Sequence, residues 1–105
     1  MKKIRVLVSG AKGKMGSEVV RAVSAESDLV LAGAFDSIGA GKDSGEAAGI
    51  GANGVIIADS LQKALRESKA DVVVDFTTAE GFGARATSVL KAGCRLVSGT
   101  TGIPE

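Results

Sequence analysis

A glycine-rich turn between an apolar run and a helical pattern constrains the fold of this chain most strongly. Ile4 to Val8 is short, rich in β-branched residues and typical of a buried strand. It is followed directly by Gly10-Ala11-Lys12-Gly13-Lys14-Met15-Gly16. The first glycine permits a tight turn, the middle one lets a ligand approach the backbone, and Gly16 lets a helix pack closely on the strand. This spacing predicts a strand–turn–helix unit whose helix N-terminus suits a diphosphate.

Strand-like and helix-like patterns alternate along the rest of the chain. From Met15 to Ala25 the apolar residues Met15, Val19, Val20 and Val23 share one helical face, which predicts a helix. Further strands are predicted at Leu29–Phe35, Val55–Ala58, Asp71–Phe76 and Arg95–Ser98. Two further helices are predicted. One follows an N-cap at Ser60 and carries the apolar residues Leu61, Ala64 and Leu65, and the other spans Ala84–Ala92. The consecutive valines of Asp71–Phe76 indicate burial on both faces. The order predicts one α/β domain, a Rossmann-like doubly wound parallel sheet.

The stretch from Ser37 to Gly54 interrupts this alternation. It is rich in glycine and poor in large apolar residues. It is predicted to be a long loop with one helical turn near Glu46, and loops of this length in small domains are usually functional or mobile.

Asp36 lies 20 residues after Gly16, at the end of the second predicted strand. A carboxylate there can accept hydrogen bonds from the ribose hydroxyls of an adenine dinucleotide. The alternative is that the glycines form an ordinary structural turn. Lys12 and Lys14 either are solvated surface lysines or neutralise cofactor phosphate. Asp36 repels a 2′-phosphate and Ser37 supplies no arginine clamp, so the residues favour NADH, or both NADH and NADPH if the lysines compensate.

The composition excludes several kinds of site. The 13 basic and 12 acidic residues are nearly balanced, which argues against a nucleic-acid partner. Histidine and tyrosine are absent, so the chain has no Ser-His-Asp or Cys-His nucleophile, no histidine metal site and no tyrosine acid/base. The single cysteine, Cys94, is expected to be a small buried residue, in keeping with a cytoplasmic setting. No apolar run is long enough for a signal peptide or a membrane span.

Several segments in order resemble a known family. They are Ile4–Gly16, Asp43-Ser44-Gly45-Glu46-Ala47-Ala48-Gly49, Asp75-Phe76-Thr77 with Glu80-Gly81, and Gly99-Thr100-Thr101-Gly102. Through these segments the whole chain resembles the N-terminal domain of the 4-hydroxy-tetrahydrodipicolinate reductases (dihydrodipicolinate reductases) of the bacterial lysine and diaminopimelate pathway. The glycine loop is generic, whereas the Asp-Phe-Thr and Gly-Thr-Thr-Gly segments are specific.

The resemblance implies an NAD(P)H-dependent enzyme and a role for each matching residue. Gly10 to Met15 would hold the pyrophosphate, and Asp36 would bind the adenosine ribose. Phe76 and Thr77 would line the nicotinamide side. The nicotinamide would also be contacted by Gly99, Thr100 and Thr101, of which Thr101 would lie nearest the substrate. Ser37 stands where some members have an arginine for the 2′-phosphate. The alternatives are that Phe76 is core, Thr77 a helix N-cap, and Thr100 and Thr101 turn residues. The segment Asp43–Gly49 is assigned no cofactor contact.

The family's second domain carries the substrate site, a histidine- and lysine-rich motif and the tetramer contacts, none of which is found here. We therefore expect residues 1–105 to be the cofactor domain of a longer homotetrameric enzyme, with no catalytic residue of its own and inactive alone. Hydride would pass from the nicotinamide C4 to a C=N-containing substrate. A second enzyme class is a short-chain dehydrogenase, which shares a similar glycine spacing; it needs a tyrosine–lysine pair, and because tyrosine is absent here, the chain would then have to be truncated too. A nucleotide-binding regulatory module and a CoA-binding domain remain as other classes.

Overall fold

The computed structural model describes residues 3–77 and 82–98, which contain five strands and four helices. The strands are β1 (Ile4–Ser9), β2 (Leu29–Phe35), β3 (Ile57–Ala58), β4 (Val72–Asp75) and β5 (Arg95–Ser98). The helices are α1 (Lys14–Ala25), α2 (Ser44–Ala47), α3 (Leu61–Ser68) and α4 (Phe82–Lys91). The helical turn expected near Glu46 is thus confirmed as α2. The predicted turn Gly99–Gly102 lies outside the described residues.

The strands form one parallel sheet in the order β3-β2-β1-β4-β5. The chain runs outwards from β1 to β3 on one side, then returns to β4 and runs outwards to β5 on the other. The predicted doubly wound sheet is therefore confirmed. The strand order reverses between β1 and β4, and in open parallel sheets ligands bind at the carboxyl ends of the strands at this point.

Each face of the sheet carries its own apolar cluster. On one face Val8 packs with Val20 and Val23 of α1. On the other, Leu7 and Val73 pack with the residues of α3 and α4, including Leu61, Ala64, Leu65 and Val89. The neighbouring residues Leu7 and Val8 belong to different clusters, because successive side chains of a strand point to opposite faces of the sheet. Both faces of β1 are therefore covered. The same arrangement confirms the prediction that the valines of β4 are covered on both sides, because Val74 packs against the first cluster.

Cys94 lies in the second cluster, which confirms its expected burial. Its thiol donates a hydrogen bond to the carbonyl oxygen of Ala70 at 3.1 Å. Burial raises the pKa of Cys94, and the negative charge of Asp71 raises it further. Both effects favour the thiol over the reactive thiolate.

Two details of the sequence prediction are wrong. Met15 shares the apolar face of α1 with Val20 and Val23 in the prediction, but it is 51% exposed, like the residues 12–14 that precede it. The third strand was expected over Val55–Ala58, but only Ile57 and Ala58 pair with β2. Ile56 instead forms an antiparallel bridge with Asp43, since the loop folds back along this segment.

The 37–54 loop is held together by the carboxylate of Asp43. One oxygen accepts the N–H groups of Gly45 (2.8 Å), Glu46 (3.1 Å) and Asn53 (3.1 Å). The other accepts those of Asn53 (3.2 Å) and Gly54 (2.9 Å). Asp43 is therefore the N-cap of α2 and also joins the start of this helix to Asn53 and Gly54 at the end of the loop.

Within residues 3–77 and 82–98, no helix combines the length and the apolar character needed to cross a membrane.

Asp43 should make the stability of the domain depend on acid pH. The N–H groups of Asn53, Glu46, Gly54 and Gly45, with that of Asn53 having the largest effect, hold the pKa of Asp43 below its ordinary value of 3.8. Because the folded carboxylate binds its proton less readily than the unfolded one, its contribution is complete above 3.8 and is lost as the pH falls through the lowered pKa. Asp43→Asn should lower the melting temperature at neutral pH and flatten the decline of stability in acid.

The measurement is thermal unfolding followed by circular dichroism from about pH 7 down to about pH 2. Asp59→Asn is the matched control, since Asp59 is exposed and makes no hydrogen bond among the described residues. An Asp43→Asn profile that follows the wild-type curve would contradict this account of the loop.

Gly16 sets how closely α1 packs on the turn after β1. A Cβ atom on Gly16 would overlap the carbonyl oxygen of Gly10 and lie 3.1 Å from the Cα of Ala11. These neighbours are backbone atoms, which cannot move aside without displacing the turn. Gly16→Ala is therefore expected to lower the free energy of unfolding by about 1–3 kcal/mol.

Urea unfolding measures this loss, and Gly83→Ala is its control. Gly83 lies in α4, and no described atom is within 4 Å of the position its Cβ would take. That substitution should leave the stability unchanged or raise it by up to about 1 kcal/mol, because alanine favours helix over glycine. Equal stability of the Gly16→Ala variant and the wild type would show that the close contact is not required.

Candidate functional site

A cleft of about 380 Å³ lies at the carboxyl ends of β1, β2 and β4. Its volume falls in the range of small-molecule sites. The lining residues come from three loops that are far apart in the sequence: Gly10, Lys12, Gly13, Asp36, Ser37, Ile38, Phe76 and Thr77. The structure thus brings the glycine turn, the acidic residue after β2 and the Phe-Thr pair after β4 to one place. This is the reversal point of the strand order, where the fold favours ligand binding.

Gly10 allows the turn after β1 to lie directly against the end of β4. Its φ angle is +89°, a conformation that favours glycine. A Cβ atom here would also lie 3.0 Å from the carbonyl oxygen of Phe76 and 3.2 Å from the methyl carbon of Thr77. Two independent constraints, backbone conformation and close approach, therefore require glycine at this position.

Most N–H groups of the turn are already bonded within the protein. Those of Gly10 and Ala11 donate to the carbonyl oxygen of Phe35 at 2.7 and 3.0 Å, and that of Gly13 donates to the carbonyl oxygen of Gly10 at 3.1 Å. Ala11 itself is buried beneath the turn. These bonds fix the shape of the turn, so the backbone of these residues is not free to donate to a ligand.

The N–H groups of Lys14, Met15 and Gly16 lie at the start of α1, where Lys14 and Met15 are exposed and Gly16 is buried. None of the three has a hydrogen-bond partner in the described part of the chain. The N-cap residue, Gly13, has no side chain to cap them, and the first turn contains no acidic residue. The positive end of the helix dipole is therefore open, and this is the usual binding arrangement for a phosphate or other anion.

Asp36 connects β2 to the glycine turn. Its Oδ2 accepts the N–H of Lys12 at 2.8 Å, and its Oδ1 accepts the N–H of Ile38 at 3.0 Å. The two bonds hold the carboxylate at the edge of the cleft. Each carboxylate oxygen can still accept a further hydrogen bond, so the group can bind two adjacent hydroxyls of a ligand.

The two lysines of the turn differ in position. Lys12 lines the cleft, and its methylene groups lie beside Gly39, where a Cβ atom would approach them to 3.2–3.3 Å. Lys14 is exposed and does not line the cleft. Lys12 is therefore the lysine placed next to Asp36.

The end of β4 contains a buried ion pair that the sequence analysis did not identify. Asp75 is only 2% exposed, and its Oδ2 lies 3.3 Å from Nη2 of Arg85 on α4. The hydroxyl of Thr77 donates to Oδ1 of Asp75 at 2.9 Å. A carboxylate within an apolar strand requires such partners, and that requirement was the signal that could have revealed the pair.

The structure also bears on the alternative roles considered for Phe76 and Thr77. Phe76 is half-buried and lines the cleft, so it is not entirely a core residue. The N-cap alternative for Thr77 depends on residues 78–81, which lie outside the described residues. Gly99, Thr100 and Thr101 lie outside the described residues. Among those that are described, no group of histidine, cysteine and acidic residues could hold a metal ion.

Comparison with known proteins identifies the family. The family described as "Dihydrodipicolinate reductase, N-terminus" matches residues 4–105. The 4-hydroxy-tetrahydrodipicolinate reductase of Desulfitobacterium hafniense (strain DSM 10664 / DCB-2) is 46% identical over 106 residues, covering 100% of this chain and 40% of the relative. The same enzyme of Methanosarcina barkeri is 46% identical over 105 residues, covering 97% and 40%.

A solved structure supports the same assignment. The dipicolinate-bound dihydrodipicolinate reductase from Paenisporosarcina sp. TG-14 superposes with a TM-score of 0.79 at 30% identity, covering 98% of this chain and 39% of that one. The chain thus spans about two-fifths of the length of the relatives it matches. It belongs to the dihydrodipicolinate reductase family and corresponds to the N-terminal part of its members.

Proposed function

We propose that residues 1–105 form the nicotinamide dinucleotide-binding domain of an NAD(P)H-dependent 4-hydroxy-tetrahydrodipicolinate reductase. One observation carries the proposal: the open N–H groups at the start of α1 and the carboxylate of Asp36 flank the same turn, so that a diphosphate and a ribose can be bound side by side. The backbone shape that this requires is fixed by Gly10 and Gly13. Family membership supports the reductase assignment.

The arrangement gives the bound dinucleotide a direction. Of the predicted pyrophosphate-binding residues Gly10–Met15, Lys14 and Met15 have the open N–H groups, so the pyrophosphate binds there, and the adenosine ribose hydroxyls donate to Asp36. The nicotinamide half then extends in the opposite direction, over Phe76 and Thr77 at the end of β4. In this proposal Gly99, Thr100 and Thr101 complete the nicotinamide side, and Thr101 lies nearest the substrate.

The chemistry is divided between the cofactor and the protein. The bound dinucleotide supplies the hydride, and this domain binds and orients it. The chain has no histidine and no tyrosine, so we assign it no catalytic acid or base. The substrate site, the proton donors and the contacts of a homotetramer are assigned to a second domain, and the complete enzyme to lysine and diaminopimelate biosynthesis. The name of the matched relatives supports the reductase activity, and their greater length supports a second domain.

The preference between NADH and NADPH depends on two opposing charges beside the ribose. Asp36 favours the 2′-hydroxyl of NADH, because its negative charge repels a 2′-phosphate. Lys12, whose backbone N–H is bonded to Asp36, lines the same cleft and attracts that phosphate. We propose that both cofactors bind and that Asp36 gives NADH the advantage.

Calorimetric titration of the 105-residue chain tests this function. NADH and NADPH should both bind, whereas CoA, which lacks the nicotinamide half, should bind less tightly. Asp36→Ala should weaken NADH by about tenfold or more, because hydrogen bonds to a charged acceptor are lost. NADPH should be weakened less, since its phosphate is relieved of the repulsion.

Asp59→Ala is the control for the loss of a negative charge, because Asp59 is exposed after β3 and does not line the cleft. It should leave both affinities near the wild-type values. Equal weakening of NADH and NADPH by Asp36→Ala would refute the ribose assignment. Absence of binding of either cofactor at millimolar concentration would contradict the proposed function itself.

A further inference from the structure

The sheet is split near its β3 edge. β3 pairs with β2 only through Ile57 and Ala58, although residues 54–56 lead directly into it. A crevice of about 270 Å³, which we call the β2–β3 crevice, separates these residues from β2. Its walls include residues 32–34 of β2, residues 54–56, and Ala64, Glu67 and Ser68 of α3. The crevice shares no lining residue with the cleft around Asp36, so it is a separate feature of the molecule.

Hydrogen bonds to the 37–54 loop hold the crevice open. The N–H of Val55 donates to the side-chain oxygen of Asn53 at 2.9 Å, and the carbonyl oxygen of Val55 accepts the N–H of Ser44 at 2.8 Å. Ile56 forms its bridge with Asp43 in the same loop. Val55 and Ile56 are therefore bonded to the loop rather than to β2.

Small residues account for the volume of the crevice. Gly33 has no side chain, and Ala32, Ala34 and Ala64 each contribute only a methyl group. A Cβ atom on Gly33 would lie 2.8 Å from the Cβ of Ser68, so a larger residue does not fit there. An apolar cavity of about 150 Å³ is enough to bind benzene. The crevice is thus large enough for a small organic molecule.

Ser68 has a hydroxyl group that the described part of the chain does not use. The residue is only 3% exposed, and its Oγ has no hydrogen-bond partner within residues 3–77 and 82–98. Its side chain lies at the wall of the crevice, against Gly33. Its carbonyl oxygen, in contrast, accepts hydrogen bonds from Nε and Nη2 of Arg5 at 3.1 and 2.8 Å. Because buried hydroxyl groups in folded proteins nearly always have a partner, the Oγ of Ser68 indicates a ligand in the crevice.

The charges around the crevice select against an anion. Glu67 is exposed at its wall, and the described lining contains no lysine or arginine. An anion would meet the negative charge of Glu67 with no cation to balance it. Since apolar surroundings also disfavour any unpaired charge, an uncharged molecule is favoured.

We propose that the β2–β3 crevice binds a small uncharged molecule that has an apolar body and one hydroxyl or carbonyl group. The apolar body packs against Gly33, Val55 and Ala64, and the polar group bonds to the Oγ of Ser68. A serine hydroxyl can donate to a carbonyl oxygen or accept from a second hydroxyl, so it suits both groups. Because the site is apart from the cleft around Asp36, it does not depend on the proposed function.

Benzyl alcohol is the probe, and benzoate is its negatively charged counterpart. Titration of the ¹⁵N-labelled 105-residue chain with benzyl alcohol should shift the amide signals of Gly33, Val55 and Ser68 until they saturate. A dissociation constant of about 1 mM is expected for a ligand of about eight non-hydrogen atoms. Benzoate should bind at least about tenfold more weakly, because its charge has no partner in the crevice.

Ser68→Ala tests the hydroxyl directly. The variant should bind benzyl alcohol about three- to tenfold more weakly, because the hydrogen bond is lost. It should also resist urea at least as well as wild type, since the hydroxyl has no protein partner to lose. Ser24→Ala is the matched control, because Ser24 lies on α1, where its hydroxyl donates to the carbonyl oxygen of Val20 at 2.8 Å. That variant should keep the wild-type affinity for benzyl alcohol.

Four results would overturn the proposal. Absence of amide shifts at about twenty times the expected dissociation constant would show that the crevice holds only water. Shifts at Gly13 and Asp36 instead of Gly33 and Ser68 would place the probe in the other cleft. Equal affinity of the Ser68→Ala variant and wild type would remove the role of the hydroxyl, and so would a loss of stability in that variant. Each result leaves the dinucleotide site standing, because that site is tested with NADH.

Discussion

The contact between the glycine turn and the end of β4 is the constraint on which the rest of the site depends. Gly10 lies so close to the carbonyl group of Phe76 that no side chain fits between them. Gly16 packs more closely still against the carbonyl group of Gly10. These two approaches bring the start of α1 to the reversal point of the sheet. A residue with a side chain at either position would displace the N–H groups at the start of α1 relative to the cleft.

Three carboxylates stabilise the loops around this contact. Asp36 binds the backbone of Lys12, Asp43 binds the start of α2 and the end of the 37–54 loop, and Asp75 binds Thr77 and Arg85. Asp43 only organises structure, whereas Asp36 also retains lone pairs at the edge of the cleft. Asp75 acts indirectly, because it determines which way the hydroxyl of Thr77 points. Similar acidic residues thus have different roles, according to how many of their lone pairs the protein itself uses.

Sequence patterns were sufficient to predict the order and type of the strands and helices, because these depend on turn residues, helix caps and the periodicity of apolar residues. The glycine spacing after a β-branched run, the valines of β4 and the N-cap at Ser60 each indicated the element that the structure contains. The same patterns placed Asp36, Phe76 and Thr77 at strand ends, where the structure gathers them around one cleft. The length of β3 was wrong because it depends on a loop that pairs antiparallel with Ile56. The exposure of Met15 depends on the packing at the start of α1, which helical periodicity does not determine.

The Asp75–Arg85 pair illustrates a further limit of sequence reasoning. The two residues are ten positions apart on different elements, and only the packing of α4 against β4 brings them together. Likewise, the glycine pattern alone did not indicate which N–H groups of the turn are open. Gly10, Ala11 and Gly13 donate to carbonyl oxygens of the protein, so the open groups begin at Lys14. Non-local hydrogen bonding of this kind can be read only from the folded chain.

Mapping the NADH site by ¹⁵N–¹H NMR tests the central claim most directly. Titration of the labelled 105-residue chain with NADH should shift the amide signals of Lys14, Met15 and Gly16 most strongly, together with those beside Asp36 and Thr77. The amides of Ile4 and Asp71, at the opposite, amino ends of β1 and β4, should remain near their original positions. Shifts confined to other parts of the sheet, or none at saturating NADH, would contradict the account.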